Sequence, residues 1–337
     1  MTPAPHWQRD VDLSGANTLR LPAVASRFAA PKTHDALAAC VRDARERGLS
    51  LHLLGGGSNV LLPARLSGAV IRPRLNQWWL HAHHDGVMAY VGAGVNWHSL
   101  VMALAKRELW GVENLALIPG DCGAAPVQNI GAYGVELADV LDGVQVMSRD
   151  DETLRWLSRD ACAFGYRDSV FKRALAGKVI ITQLALRLSR TPRPVLGYGD
   201  LASRVSKRPS SLEIAQRVCD IRRQKLPDPA QLANAGSFFK NPLVSAQKAA
   251  QLLTLHPDMP HFAQADGRYK VAAGWLIDQC GLKGARFGAF GVHAHQALVL
   301  VHFGSGDRDE LLQVAEQIAT TVQARFGVAL EIEPRCL

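Results

Sequence analysis

The chain has 337 residues, 48% hydrophobic and 20% charged, an ordinary globular composition at a length that calls for two or three domains rather than one core. The net charge of +8 would suit a polyanion, but no Lys/Arg block exceeds three residues and no helix-turn-helix, RRM or zinc-finger signature occurs, so anionic small molecules fit better than nucleic acid. No apolar run reaches transmembrane length and the first thirty residues lack a signal peptide's basic start and apolar block, while six scattered cysteines without a C-x-x-C pair argue for a reducing cytoplasm and against a disulfide frame or zinc site.

In chain order, residues 26–30 read as a short strand. A helix from near Thr33 carries Leu37, Cys40, Val41 and Ala44 on one stripe and ends at Gly48. A strand then runs into Gly55-Gly56-Gly57-Ser58-Asn59, followed by strands at 60–62 and 69–72. The segment H-A-H-H-D-G (81–86) reads as an exposed turn, not a metal site. V-G-A-G-V-N-W (91–97) lacks the third glycine of a dinucleotide fingerprint, so a Rossmann reading is rejected. A helix is expected from about Trp97 to Leu109.

The stretch around which the chain is organised is I-P-G-D-C-G-A-A-P-V-Q-N-I-G-A-Y-G (118–134). Its glycines permit positive φ and close approach of a ligand. Unpaired peptide N–H groups in such a loop form a nest for phosphate oxygens, and Gln128, Asn129 and Tyr133 add neutral groups suited to a ring edge or ribose. Two glycine loops in one chain suggest a ligand with two phosphates, a dinucleotide cofactor.

Strands are expected at 144–147, 153–157 and 178–188, the last with Ile180, Leu184, Leu186 and Leu188 on one face. Ser210 and Glu213 form a capping box for a helix that stops before Pro227, where a domain boundary is placed. Helices follow near 245–255 and 271–280, then a strand at 297–302. The longest helix is capped by Asp307 and Glu310, ends before Gly327, and precedes the final V-A-L-E-I-E-P-R.

Ser237 lies in N-A-G-S-F-F-K-N-P beside Asn234, Lys240 and Asn241, all able to hold an anionic substrate; its plain alternative is a cap or turn serine. It does not match G-x-S-x-G, which argues against an acyl-transfer nucleophile. Arg167 is followed by Asp168, and the plain alternative there is a surface ion pair. Glu331 and Glu333 alternate on a terminal strand, and Tyr198 lies between two glycines in a loop.

Taken together, the two glycine loops, F-G-Y-R-D-S, N-A-G-S-F-F-K-N-P, A-G-W-L-I-D-Q-C-G-L-K-G and L-E-I-E-P-R resemble the UDP-N-acetylenolpyruvoylglucosamine reductase (MurB) family, over about residues 17–335. The resemblance implies an α+β protein of three domains. Residues 1–75 and 76–225 would form a vanillyl-alcohol-oxidase-type (PCMH) FAD-binding module, and 226–337 a smaller α+β substrate-binding domain. It implies FAD, non-covalent because no histidine adjoins Ser58-Asn59, held by Gly55, Gly56, Gly57, Ser58, Asn59, Pro119, Gly120, Gly123, Ala124, Gln128, Asn129, Gly131, Ala132, Tyr133, Arg222 and Arg335. The implied reaction passes a hydride from NADPH to flavin N5, and then to C3 of UDP-N-acetylglucosamine enolpyruvate in the same cleft.

By the same likeness Arg167 and Glu333 stabilise the developing enolate and Ser237 protonates C2, with Glu333 favoured over Glu331. Tyr198, Lys225, Asn241 and Gln296 would grip the UDP pyrophosphate and its neighbours, Tyr198 marking the branch whose tyrosine loop folds over the substrate. The expectation is a cytoplasmic monomer of peptidoglycan precursor synthesis with no membrane, metal or nucleic-acid partner. The central loop has Ala124-Ala125 where some relatives carry serines, so backbone groups would replace side-chain contacts there. An FAD-dependent oxidase of small alcohols or lactones would share the glycine loops but has no reason to carry N-A-G-S-F-F-K-N-P. A basic nucleotide-binding protein without turnover would be colourless when purified.

Overall fold

The computed structural model describes residues 5–84 and 86–337. The chain divides into two compact units: the described part of Met1–Val11 with Ala25–Gly57 and Leu66–Arg222, and Asp12–Val24 with Ser58–Arg65 and Arg223–Leu337. Among the described residues no helix is long and apolar enough to cross a membrane.

In the first unit the helix His34–Glu46 is started by Thr33, whose hydroxyl accepts from the Ala36 N–H at 3.2 Å, and the chain leaves it through Gly48 at φ 62°. Leu37, Cys40, Val41 and Ala44 are buried, as their spacing predicts. Beside the helix, strand Ala69–Ile71 pairs in parallel with both Val24–Ala29 and Leu51–Leu53.

The larger part of this unit is an antiparallel sheet in the order Leu154–Ser158, Leu141–Ser148, Val179–Leu188, Gly86–Gly92, Trp78–His83. Helices Trp97–Ala105 and Ser211–Lys225 bring Leu100, Val101, Leu104, Ile214, Val218 and Ile221 to a core that includes Val91, Val144 and Leu184. Those last three residues line up across three strands.

Strict alternation does not hold along Val179–Leu188. The register slips between Gln145↔Gln183 and Val146↔Ile181, leaving an extra residue in Val179–Leu188. A bulge turns side chains beyond it to the opposite face. Ile181 therefore joins Leu184, Leu186 and Leu188 in the large core, while Ile180 packs with Met147, Leu37, Cys40 and Val41 in a smaller one. The face predicted from strict alternation is thus shared between two cores.

Three further differences are local. His81 and His83 lie on a strand, paired with Met88 and Gly86, so the turn is shorter than expected; Asp85 lies outside the described residues. The helix from Trp97 ends at Ala105, with Glu108 already at φ 52°. Ser210 does accept from the Glu213 N–H at 3.0 Å, but Glu213 binds Ser206 N and Oγ at 2.7 and 2.8 Å instead of closing the box on Ser210.

The second unit has a four-stranded antiparallel sheet, Ala233–Ser237, Val299–His302, Phe290–Val292 and Arg286–Phe287. Its helices are Ala246–Leu255, Ala273–Gln279 and Arg308–Phe326, the last opened by a complete Asp307/Glu310 box and closed at Gly327 with φ 61°. Phe238, Phe239, Leu276, Ile277, Leu300 and Ile318 form its core together with Leu19, Leu21 and Leu61. Buried His302 ties these segments: Nδ1 donates to the Leu19 carbonyl at 2.8 Å and Nε2 accepts from Gly306 N at 2.9 Å, which fixes the neutral tautomer.

Candidate functional site

Within the first unit the two glycine loops abut. A Cβ on Gly56 would stand 2.7 Å from the Gly120 Cα and 3.2 Å from the Asp121 nitrogen, so only glycine lets the backbones meet. Gly55 faces Ala124, whose Cβ would be 3.7 Å from a Cβ at that position. The N–H groups of Gly55, Gly56 and Gly57 donate to no protein acceptor among the described residues. Consecutive unpaired donors of this kind suit phosphate oxygens.

The central stretch corrects the expectation of a second open nest. It folds into a 3-10 helix, Cys122–Gln128, and a hairpin, Gly131–Ala132 with Val135–Glu136. The N–H groups of Cys122 and Gly123 donate to Val95 and Ala93 carbonyls at 2.8 Å, and that of Ala124 to Asp121 at 3.0 Å. The rejected V-G-A-G-V-N-W segment is therefore the wall against which this loop is built, and a Cβ on Gly123 would meet that of Ala93 at 2.6 Å. Asn129, buried at φ 45°, directs its amide inward: Nδ2 donates to Glu136 at 2.6 Å and Oδ1 accepts from Ala138 N at 3.0 Å. Its N–H is also bonded, to Pro126, so only its backbone carbonyl is left to face a ligand. Gln128 closes the 3-10 helix, and Tyr133, at φ 50°, forms the hairpin tip with Gly134.

Buried polar atoms without a hydrogen-bond partner collect in the same unit: Arg72 Nε, Asp121 Oδ2 and Arg222 Nε. Burial costs such atoms free energy unless a partner is supplied. Arg72 Nη2 lies 3.8 Å from Asp121 Oδ2, and burial pushes the Asp121 carboxyl up against the opposing pull of Arg72 and Arg74. Arg222 is half-buried with its Nε enclosed; burial lowers its pKa, and it bears electrostatically on Tyr133 and Arg167. Burial also raises the Tyr133 phenol, against the Arg222 charge. No local residue pattern marks Arg72, because Asp121 is distant in the chain.

Arg167 takes a left-handed conformation, φ 54°, uncommon for a side-chain-bearing residue and often kept at sites of function. Its Nη2 donates to the Gly131 carbonyl at 3.3 Å, which lays the guanidinium along the hairpin. The expected plain alternative of an Arg167–Asp168 pair is not what forms: Asp168 pairs with Arg173 at 3.3 Å. Tyr198, 51% exposed, meets the Tyr133 ring edge-on at 5.7 Å between centroids.

In the second unit Ser237 ends its strand opposite Val299, after an irregularity in register and after Gly236 at φ 70°. Its hydroxyl has no protein partner among the described residues, so it is neither a cap nor a turn serine. Phe238 N donates to the Leu298 carbonyl and the Glu333 N–H to the Phe238 carbonyl, both at 2.8 Å, so the terminal segment runs beside the serine's own strand. Glu331 is ion-paired with Lys240, and Glu333 lies two residues further along the same segment. The neighbours read as anion holders are mostly committed elsewhere. Asn234 donates to the Pro227 and Leu232 carbonyls at 3.1 and 2.8 Å, and Lys240 binds Glu331.

Asn241 Oδ1 accepts from Ala273 N at 3.0 Å, and Gln296 Oε1 would lie 3.1 Å from a Cβ on Gly274. Both therefore border the start of one helix, while Lys225 is exposed at the end of another. The exposed Arg335 follows the glutamates; its N–H donates to the Asn59 carbonyl at 3.1 Å, and Arg335–Cys336 pairs in parallel with Val60–Leu61. The last residues of the chain are thus brought to Ser58-Asn59 at the end of the first glycine loop.

Two family models match: FAD binding domain over residues 25–158, and UDP-N-acetylenolpyruvoylglucosamine reductase, C-terminal domain, over 228–337. A UDP-N-acetylenolpyruvoylglucosamine reductase of Cupriavidus pinatubonensis is 50% identical over 316 residues, covering 92% of this chain and 94% of that one. That of Pseudomonas aeruginosa is 49% identical over 296 residues, 86% and 87% of the two chains. Among solved structures, the UDP-N-acetylenolpyruvylglucosamine reductase of Thermus caldophilus superposes with a TM-score of 0.67 at 25% identity, over 98% of both chains.

Proposed function

The chain belongs to the UDP-N-acetylenolpyruvoylglucosamine reductase family and is an FAD-dependent oxidoreductase, and on that premise we propose that it reduces UDP-N-acetylglucosamine enolpyruvate to UDP-N-acetylmuramate with NADPH as donor. The observation that carries this reading is the meeting of two glycine loops at Gly56 and Gly120 beside the partnerless N–H groups of Gly55–Gly57. FAD fits these residues. Its diphosphate would take those donors, and the enclosed Arg72 and Arg222 nitrogens are cationic partners of the right sign. When bound, FAD supplies the two-electron relay between NADPH and C3 of the enolpyruvyl group.

The chain's own residues do the rest. Addition to C3 makes C2 electron-rich and moves charge toward the carboxylate, where Arg167 and Glu333 would hold it through preset hydrogen bonds. Ser237 gives its hydroxyl proton to C2, a carbon far more basic than an alkoxide, and recovers a proton from solvent. Tyr198, Lys225, Asn241 and Gln296 would grip the UDP portion, and Ser58, Asn59, Gly123, Gly131, Ala132 and Arg335 would complete the FAD contacts. On this reading residues 1–75 and 76–225 serve as two FAD-binding subdomains and 226–337 as the substrate domain of a cytoplasmic monomer.

The test is simple: the purified protein should be yellow, and heat should release all of its flavin into the supernatant. Flavin that stays with the precipitated chain, or a colourless protein that takes up no FAD, would contradict it. Arg167→Lys keeps the charge but loses the planar fork. It is expected to slow reoxidation by the enolpyruvyl substrate about tenfold while NADPH still reduces the protein normally. Unchanged turnover would remove Arg167 from this role.

A further inference from the structure

Asn114 is 1% exposed, yet nothing in the reaction calls for it. Its Nδ2 donates at 2.8 Å to two carbonyls far apart in the chain: Tyr133, at the tip of the central hairpin, and Val195, in the loop before Tyr198. Two acceptors on one nitrogen fix the amide's orientation. Its Oδ1 is buried with no partner, so the side chain is placed for its donors alone.

The segment that carries Asn114 is itself held. Trp97 Nε1 donates to the Leu115 carbonyl at 3.0 Å, and the buried Glu113 accepts from Gly111 N at 2.6 Å. Trp110 and Ser189 exchange backbone hydrogen bonds at 2.9 and 3.0 Å. The stretch 110–115 thus grips the 189–198 loop at its start through Trp110 and near its end through Asn114. Between those points Thr191, Pro192, Arg193 and Pro194 are exposed and without regular structure.

The consequence lands on Tyr198. With the Val195 carbonyl fastened, Val195 Cγ1 and Tyr198 Cβ come within 3.5 and 3.7 Å of a Cβ built on Gly134, and the Tyr198 ring rests on Tyr133. We infer that Asn114 is a positioning residue that fastens the tyrosine loop to the tip of the central hairpin, and so sets affinity for the sugar nucleotide without touching it. The inference rests on the reading of Tyr198 as a UDP-sugar contact.

The test uses the FAD-loaded enzyme with Asn114→Ala and with Asn114→Asp, the latter assayed at alkaline pH so that the same shape carries no donor. Both are expected to raise KM for the enolpyruvyl sugar nucleotide about tenfold, from the loss of two hydrogen bonds, with kcat and flavin reduction by NADPH changed by less than about twofold. Trypsin should cut after Arg190 about tenfold faster, a readout that needs no turnover. Equal loss in both half-reactions, or an unchanged KM with unchanged proteolysis, overturns the proposal. Tyr198→Ala separates the two levels. If it leaves KM unaltered, the loop reading itself fails; if it raises KM while the Asn114 variants do not, only the positioning role fails.

Discussion

Replacing Ser237 by alanine is expected to leave flavin reduction by NADPH within about twofold of the parent while slowing reoxidation by the enolpyruvyl substrate on the order of 10²–10⁴-fold, the worth of a general acid. The asymmetry follows from where a proton is needed. In the proposed reaction nothing would be protonated by the enzyme when NADPH reduces the protein, whereas saturating the C2–C3 double bond would need one proton at C2. The setting of Ser237 suits that demand. Its hydroxyl is bound to no protein group among the described residues, while its backbone is held by the register opposite Val299 and by Phe238 and Phe239, both nearly fully buried. Alanine fits the same strand, so loss of fold is not expected to confuse the result. Equal slowing of both half-reactions, measured by rapid mixing, would show that the residue serves the site's shape and not the proton.

Gly56→Ala should cost the protein its flavin. The added Cβ would meet backbone, the Gly120 Cα at 2.7 Å, and backbone cannot swing aside as a side chain can. Overpacking of this kind costs roughly 1–3 kcal/mol, and the loops can escape it only by separating, so FAD affinity should fall by up to about 100-fold. Gly15→Ala is the control, since nothing lies within 4 Å of a Cβ there. Titration of apoprotein with FAD, followed by flavin fluorescence, measures both. A Gly56→Ala protein that bound FAD as tightly as the control would mean that the abutment of the two loops does not shape the cofactor site.

The glycine loops themselves were legible in the sequence because glycine acts locally. The requirement at Gly56 and Gly123 is for backbone unobstructed by Cβ, and the residue type prints that directly. Helix boundaries marked by caps, such as Thr33 and Asp307, were equally plain. What escaped depends on partners remote in the chain. Asn129 and Asn234 look like ligand-facing amides until the carbonyls and N–H groups that occupy them are seen. Asp168 turns to Arg173, not to the adjacent Arg167. The bulge in Val179–Leu188 leaves no residue signature, since Thr182 is an ordinary strand residue, yet it decides which core Ile180 enters. Likewise, nothing local announces that 12–24 and 58–65 fold with the C-terminal part of the chain, because that choice is made by Leu19, Leu21 and Leu61 finding its core.

The decisive experiment is sequential anaerobic mixing of the purified protein, first with NADPH and then with UDP-N-acetylglucosamine enolpyruvate, while the flavin's visible absorption is followed. Bleaching is expected on the first addition and full return of colour on the second, with one equivalent of reduced sugar nucleotide appearing per flavin. Colour that returned only when oxygen was admitted would contradict the proposed reaction.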